Sequence, residues 1–323
     1  MRLMRNRAAL AFLLIAPSLV IARLGGQEAA PPAWAYPVMD PGFQRPPDDG
    51  KKHRVPGSDR EFTLTEINDA FNPPDWYPSE HPPMPQAVAH GRRPDVRACG
   101  QCHMPHGLGH PESSGLAGLP ADYIEQQMID YKAGRRKSSV PARAASMIAI
   151  AAAATDAEVR EAAEYFSRLK ATTWIRVVES ETVPRTFVGA GNMRHPTPNG
   201  GSEPIGQRII EIPENSELAE MRDSHSGFVA YVPIGAITRG QALVAATSDG
   251  KERCAGCHGP DLKGVGNTPA LAGRSPIYLA RQLMDFQRGA RNGVYASLMT
   301  DAVAKLTERD IIDITAYLAS LAP

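Results

Sequence analysis

Apolar side chains recur at helical spacing in two stretches, one near the middle of the chain and one at its end. These positions are Val159, Ala162, Phe166 and Leu169 in the first stretch, and Ile311, Ile314, Leu318 and Leu321 in the second. A period of about 3.6 residues predicts an amphipathic helix in each stretch. Thr155 with Glu158 forms a capping box before the first helix. Thr307 and Asp310 are placed to cap the second helix.

The two helices close the two copies of an internal repeat. An offset of 155 positions carries Leu116–Gly118 onto Leu271–Gly273, and an offset of 152 relates the remainder of each copy. Further pairs at the first offset include Gly109 and Gly264, Tyr123 and Tyr278, Gln127 and Gln282, and Arg136 and Arg291. Pairs at the second offset include Met147 and Met299, Thr155 and Thr307, and Tyr165 and Tyr317. The repeat predicts two copies of one domain that differ in the length of a loop.

Other helices are predicted at matching places in the two copies. A middle helix is expected at 121–133 and again at 276–288. An opening helix is expected near 239–247 in the second copy. Its counterpart near 86–90 is expected to be short, because prolines flank it and proline blocks the preceding turn.

The segments outside the copies have a different character. Residues 29–85 are rich in proline but carry aromatic anchors such as Trp34 and Trp76, which predicts an ordered, extended N-terminal arm. Between the copies, β-like runs predict a small β-rich insertion at 172–238. These runs lie at 174–179, 186–188, 208–212 and 228–232. The predicted fold is mainly α, with the repeated domains at 86–171 and 239–323.

The N-terminus has the composition of an export signal. Arg2, Arg5 and Arg7 precede an apolar run over Ala8–Ala22. This order predicts a secretory signal at 1–28, with an uncleaved membrane anchor as the alternative. The chain contains 35 basic and 35 acidic residues, a balance that argues against nucleic-acid binding. We therefore expect a periplasmic protein that contacts the membrane only if the signal is retained.

All four cysteines lie in two C-x-x-C-H units, Cys99–His103 and Cys254–His258. Two disulfides or a zinc site would also use four cysteines, but neither gives the adjacent histidines a role. C-x-x-C-H is the attachment signature of haem c. The pattern predicts two covalent haems with His103 and His258 as proximal iron ligands. The predicted thioether positions are Cys99, Cys102, Cys254 and Cys257.

The repeat also indicates candidate distal ligands for the two haem irons. Met147 and Met299 occupy equivalent positions, each in a loop-like stretch ahead of the last helix. A methionine and histidine pair saturates the iron and raises the haem potential, which suits electron transfer. Three further methionines are not expected to bind iron: Met104, Met128 and Met284.

The copies differ around the proximal histidine. Pro269 aligns with Ser114, and the carbonyl at this position can orient the axial histidine through its second ring nitrogen. We therefore expect the two haems to differ in potential. His106 and His110, in the first copy only, are interpreted as surface residues, with iron ligation as the alternative. His195 and His225 are treated as ordinary polar residues.

These residues resemble those of the class I cytochrome c family. Besides the two haem motifs and the methionines, the resemblance rests on both Leu-Ala-Gly runs, Tyr123 and Tyr278, Gln127 and Gln282, and Pro269. The tandem arrangement is similar to the di-haem cytochrome c4 group of periplasmic electron carriers. This resemblance implies a small helical fold around each haem and electron transfer between a donor and an acceptor. The arm and the insertion depart from that group.

The favoured function is therefore a periplasmic electron carrier without catalytic residues. Its expected partners are a donor dehydrogenase and an acceptor cytochrome or oxidase. Membership of a dehydrogenase or respiratory complex, as a subunit, is left open. The main alternative is a di-haem peroxidase, which needs one iron with an open site and is disfavoured by the paired methionines. A thiosulfate-oxidising enzyme with a distal cysteine would need a fifth cysteine. A sensor role finds no supporting cluster in the insertion.

Overall fold

A computed structural model describes residues 30–248, 251–252 and 254–323. The predicted export signal at 1–28 lies outside these residues. No described helix is both long and apolar enough to cross a membrane. Pro31–Pro323 form one compact unit, so both haem motifs belong to the same folded body.

Residues 31–85 run mainly without regular structure and include the short helix α1 (Leu64–Ile67). Trp34 and Tyr36 are buried among side chains of the second copy. The Trp34 indole donates to Glu308 Oε1 at 2.6 Å. Farther along, Trp76 and Tyr77 are buried in a separate cluster. Aromatic side chains therefore anchor this proline-rich segment at two places.

The first copy is helical. Its helices are α2 (Gln86–Ala89), α3 (Gly100–His103), α4 (Ala121–Lys132), α5 (Ala145–Ala153) and α6 (Asp156–Arg168). Its core joins Val88 of α2, Ile124 of α4 and Phe166 of α6. The predicted capping box is present, since Thr155 Oγ1 accepts from the Glu158 amide and Glu158 accepts from the Thr155 amide.

The segment between the copies is built from short strands. They are β1 (Ile175–Glu179), β2 (Thr182–Pro184), β3 (Thr186–Val188), β4 (Arg194–Pro196), β5 (Ser202–Pro204), β6 (Ile210–Pro213) and β7 (Phe228–Val232), with helix α7 (Ser216–Glu220) before β7. β7 is the centre of a three-stranded sheet, parallel to β1 and antiparallel to β6. The pairs β2–β5 and β3–β4 are antiparallel ribbons. Every run that the sequence predicted as β-like overlaps one of these strands.

The three-stranded sheet touches both copies. Trp174, Ile175 and Phe228 are buried with Met104 of the first copy. On the other side, Val232 is buried in a cluster with helices of the second copy. The insertion is therefore part of the core rather than a loose linker.

The second copy repeats the helix order of the first. Its helices are α8 (Ala236–Ala245), α9 (Ala255–His258), α10 (Pro276–Gln287), α11 (Ala296–Val303) and α12 (Glu308–Ser320), with strands β8 (Thr247–Ser248) and β9 (Lys251–Glu252) between α8 and α9. α8 packs closely on α12, where Arg239 pairs with Asp313 through bonds of 2.7 and 2.9 Å. Thr307 and Asp310 form the predicted cap of α12.

The repeated Leu-Ala-Gly run has the same structural role in both copies. The amides of Leu116 and Ala117 donate to the Gly107 carbonyl at 2.7 and 2.9 Å. Gly118 has a φ of 70°, which places its amide 3.1 Å from the Phe166 carbonyl in α6. The second copy repeats these bonds, with Leu271 and Ala272 donating to Leu262, and Gly273 donating to Leu318. The described chain is mainly helical with small sheets, as predicted, and the domain boundaries remain predictions.

Candidate haem-binding sites

Each C-x-x-C-H unit folds as a single helical turn. In the first copy the His103 amide donates to the Cys99 carbonyl at 3.0 Å, and in the second the His258 amide donates to Cys254 at 3.0 Å. The turn brings both cysteines and the histidine of a unit into one short element, α3 or α9. This local arrangement suits attachment of one haem through two thioethers beside an axial histidine.

Both proximal histidines are oriented by a backbone carbonyl. Nδ1 of His103 lies 2.8 Å from the Ser114 carbonyl oxygen, and Nδ1 of His258 lies 2.8 Å from that of Pro269. A carbonyl only accepts, so Nδ1 carries the proton and Nε2 is left for a metal. Burial lowers the pKa of both imidazoles below its ordinary value. A neutral imidazole is the form that binds iron.

The first site opens into a cavity of about 440 Å³. Its lining includes Cys99, Cys102, His103 and Met147, the full ligand set predicted for the first haem. Phe166 of α6 also lines it and lies edge-on to His103 with ring centroids 6.0 Å apart. The residues present therefore fit a haem with axial histidine and methionine.

Buried arginines join the two copies. Arg136 donates to Gln127 at 2.9 Å, and to Tyr278 and Gln282 at 3.2 and 3.3 Å. Its repeat equivalent Arg291 donates to Gln282 at 3.2 Å and to Gln127 at 2.8 Å. Both guanidinium groups are buried, and neither forms an ion pair with a carboxylate of the described residues. A buried cation without a counter-ion is costly. Arg136 lines the cavity, where its charge would compensate the carboxylates of a bound haem.

The methionines lie on helices rather than in loops. Met147 is in α5 and Met299 is in α11, so the expectation of loop-like stretches is wrong. Met147 lines the cavity that also contains His103. Met299 packs against Phe286 and Val303. Their roles as distal ligands remain predictions.

The other methionines and histidines of the two copies that the sequence singled out are buried or half-buried. Met104 is buried against the insertion, and Met284 is in the core of the second copy, while Met128 lines the cavity. His106 and His110 are half-buried, which corrects their interpretation as surface residues. Burial lowers the pKa of each to about 3.

The insertion and the arm supply a part of the cavity that the sequence did not predict. Arg222, two residues after α7, lines the cavity and donates to the Gln101 carbonyl inside the first motif at 2.6 Å. Arg45 of the arm and Met193 of the insertion line it as well. These contacts join segments far apart in sequence, and no local pattern indicates them.

The family model described as Cytochrome c matches residues 237–322. Cytochrome c-554(548) of Halomonas halodenitrificans is 39% identical over 77 residues, which cover 24% of this chain and 93% of that protein. The chain belongs to the cytochrome c family. Cytochrome c4 of Azotobacter vinelandii is 28% identical to this cytochrome over 232 residues, 69% of this chain and 84% of that protein. The thiosulfate dehydrogenase electron acceptor of Thiomonas intermedia is 26% identical over 230 residues, 70% of this chain and 80% of that protein.

The resemblance to tandem class I cytochromes is confirmed by these relatives. With its two C-x-x-C-H units, this cytochrome carries two covalent haem c groups, as predicted. The relatives are named as cytochromes or as an electron acceptor. This cytochrome is accordingly an electron-transfer protein rather than an enzyme.

Proposed function

We propose that this cytochrome is a periplasmic electron carrier between a donor dehydrogenase and an acceptor cytochrome or oxidase. Its proposed axial ligands are His103 with Met147 and His258 with Met299. The observation that carries the proposal is the direct contact of the two repeat copies through Arg136 and its partners. Each bound haem supplies a one-electron couple whose potential a histidine and methionine pair raises.

The chain's own residues favour rapid transfer within one rigid body. The Lys137 amide donates to the Ala290 carbonyl at 2.8 Å, and the Asn292 amide donates to Arg135 at 2.7 Å. Together with the arginine and glutamine network, these bonds fix one copy against the other. A fixed interface avoids a domain movement between the two redox steps.

The second copy offers the better surface for a partner. Val294, Tyr295 and Leu298 are 59%, 68% and 68% exposed, next to Met299. Transient redox complexes use small interfaces, and a few exposed apolar side chains suit one. The name of the Thiomonas relative supports a dehydrogenase as donor, with thiosulfate dehydrogenase the first to test. We also propose the periplasmic location, the export signal at 1–28 and the domain boundaries 86–171 and 239–323.

The ligand assignment is tested by absorption and magnetic resonance spectra of Met147→Ala and Met299→Ala. We expect each variant to lose the low-spin histidine and methionine signature at one haem and to keep it at the other. The control is Met39→Ala, which changes an exposed methionine. Unchanged spectra in either ligand variant would contradict that assignment.

The carrier role is tested by mixing the oxidised protein with reduced thiosulfate dehydrogenase in a stopped-flow instrument. We expect both haems to become reduced, and an added acceptor cytochrome to oxidise them again. Peroxide added to the half-reduced protein should be consumed no faster than in the buffer control. Catalytic consumption of peroxide would replace the carrier proposal with the peroxidase.

A further inference from the structure

The two proximal carbonyls are held in place by different means. Pro269 has a ring that fixes its own φ, so the backbone that presents its carbonyl to His258 is restrained locally. Ser114 has no such restraint, yet its carbonyl approaches His103 at the same distance of 2.8 Å. The segment that follows Ser114 has the bonds of Leu116 and Ala117 to Gly107, which the second copy repeats. It also has contacts from outside the first copy.

Those contacts come from the second copy. Arg274 Nη1 donates to the Gly115 carbonyl at 3.0 Å, and Nη2 donates to the Ala117 carbonyl at 2.9 Å. Gly115 leaves room for this approach, since a Cβ at that position would lie 3.2 Å from Nη1. The fork of the guanidinium therefore spans the backbone immediately after Ser114, which holds the carbonyl of that residue on His103.

Arg274 is also a buried cation without a carboxylate. Arg274 is only 9% exposed, and it forms no ion pair with an acidic side chain of the described residues. Its Nε has no hydrogen-bond partner. A cavity of about 20 Å³ beside Arg274 and Tyr278 has room for one water molecule. The positive charge consequently reaches the first proximal loop with little compensation.

The position equivalent to Arg274 in the first copy carries no charge. The repeat offset of 155 places Leu119 of the first copy opposite Arg274, and Leu119 is buried in the first copy's own core. Arg274 thus acts in one direction, from the second copy onto the first site. This asymmetry is independent of the Arg136 and Arg291 pair, which the two copies share.

We propose that Arg274 is an interdomain positioning residue that fixes the Ser114 carbonyl on His103 and raises the reduction potential of the first haem. The inference rests on the proposed role of His103 as an axial ligand. A nearby cation favours the reduced state of the iron. With an effective dielectric constant of about 20, a unit charge roughly 12 Å away changes an equilibrium constant by about tenfold.

The test is a redox titration of the holoprotein in which the two haems are followed separately by their paramagnetically shifted NMR signals. In Arg274→Gln we expect the reduced-to-oxidised ratio of the first haem, at a fixed potential, to fall about tenfold. This fall equals about 59 mV for a one-electron couple. The ratio at the second haem should stay within about twofold of wild type.

Two further variants separate charge and position from general damage. Arg274→Lys keeps the charge but loses the fork, so we expect it to recover part of the lost ratio while the shifted signals of His103 still differ from wild type. Arg160→Gln removes an exposed arginine from α6 and should change neither haem. The lysine variant also provides the readout if the glutamine variant does not fold.

The outcomes distinguish this inference from the proposed function. Equal shifts at both haems, no shift at the first haem, or an equal shift in Arg160→Gln would overturn the role of Arg274. The carrier proposal would survive each of these results. If the wild-type first haem lacks histidine ligation, both the ligand assignment and this inference fall.

Discussion

Gly240 lies where α8 crosses α12, and its replacement by alanine should weaken the second copy. A Cβ at Gly240 would lie 1.9 Å from the Asp313 carbonyl oxygen and 2.8 Å from Tyr317 Cβ. Non-bonded carbon and oxygen atoms rest at about 3.5 Å. The nearest atom belongs to the backbone of Asp313 and cannot rotate away. The two helices must therefore separate by roughly 1 Å or more.

We expect Gly240→Ala to lower the free energy of unfolding by about 3 kcal/mol, the upper part of the range for overpacked cores. The helices that separate, α8 and α12, belong to the copy that presents His258. Denaturant unfolding followed by circular dichroism measures the loss of unfolding free energy. The absorption of the second haem reports on the surroundings of His258. Gly42→Ala is the matched control, since nothing lies within 4 Å of its added Cβ. A loss below about 1 kcal/mol, or one equal to the control, would refute the packing argument.

Three more outcomes follow from single contacts. Burial raises the pKa of Glu211 to about 7, above its unfolded value, so stability should fall as the pH rises from about 4.5 to about 7. Glu211→Gln should flatten that slope in unfolding experiments across this range. Tyr36→Phe removes a 2.8 Å hydrogen bond to Asp285 and should cost about 1–2 kcal/mol in the same assay. Changing Tyr295 and Leu298 to serine should slow reduction by a donor dehydrogenase several-fold in stopped-flow traces, with both haem potentials unchanged.

Local patterns predicted the elements that repeat or alternate. The offset between the copies indicated paired helices, and the apolar spacing with Thr155 and Thr307 located the capped starts of α6 and α12. The β-like runs contained real strands because β-branched and aromatic residues fit a half-buried sheet. These features depend on residues that are close in sequence, so the sequence alone is sufficient to predict them.

Helix α5 shows where the pattern was misleading. The stretch from Ala145 to Ala153 is apolar almost throughout and lacks an amphipathic period. Periodicity therefore does not indicate the helix that contains Met147. Alanine has the highest intrinsic helix propensity, and the alanines of this stretch were the signal that indicates a helix. Periodicity alone does not detect a helix whose apolar residues surround it.

Contacts between distant segments were beyond the sequence for a different reason. Three hydrogen bonds depend on how separate segments pack: those from Trp34 to Glu308, from Arg222 to Gln101 and from Arg274 to Gly115. Hydrogen bonds to backbone carbonyls are also hard to predict. Every residue has a carbonyl, so the sequence does not indicate which one accepts the bond. The sequence predicted the groups that attach and ligate haem, whereas the surroundings that tune each haem depend on tertiary packing.

The two haem sites differ in their surroundings. The first site is surrounded by added structure, with Arg222 from the insertion and Arg274 from the second copy both contacting its motif or its proximal loop. The second site has a self-restrained carbonyl at Pro269 and an exposed apolar face at Tyr295 and Leu298. An enclosed centre is suited to holding a tuned potential, because fixed charges act strongly where water is excluded. A centre with an open face is suited to meeting partners, so we expect electrons to enter or leave mainly through the second haem.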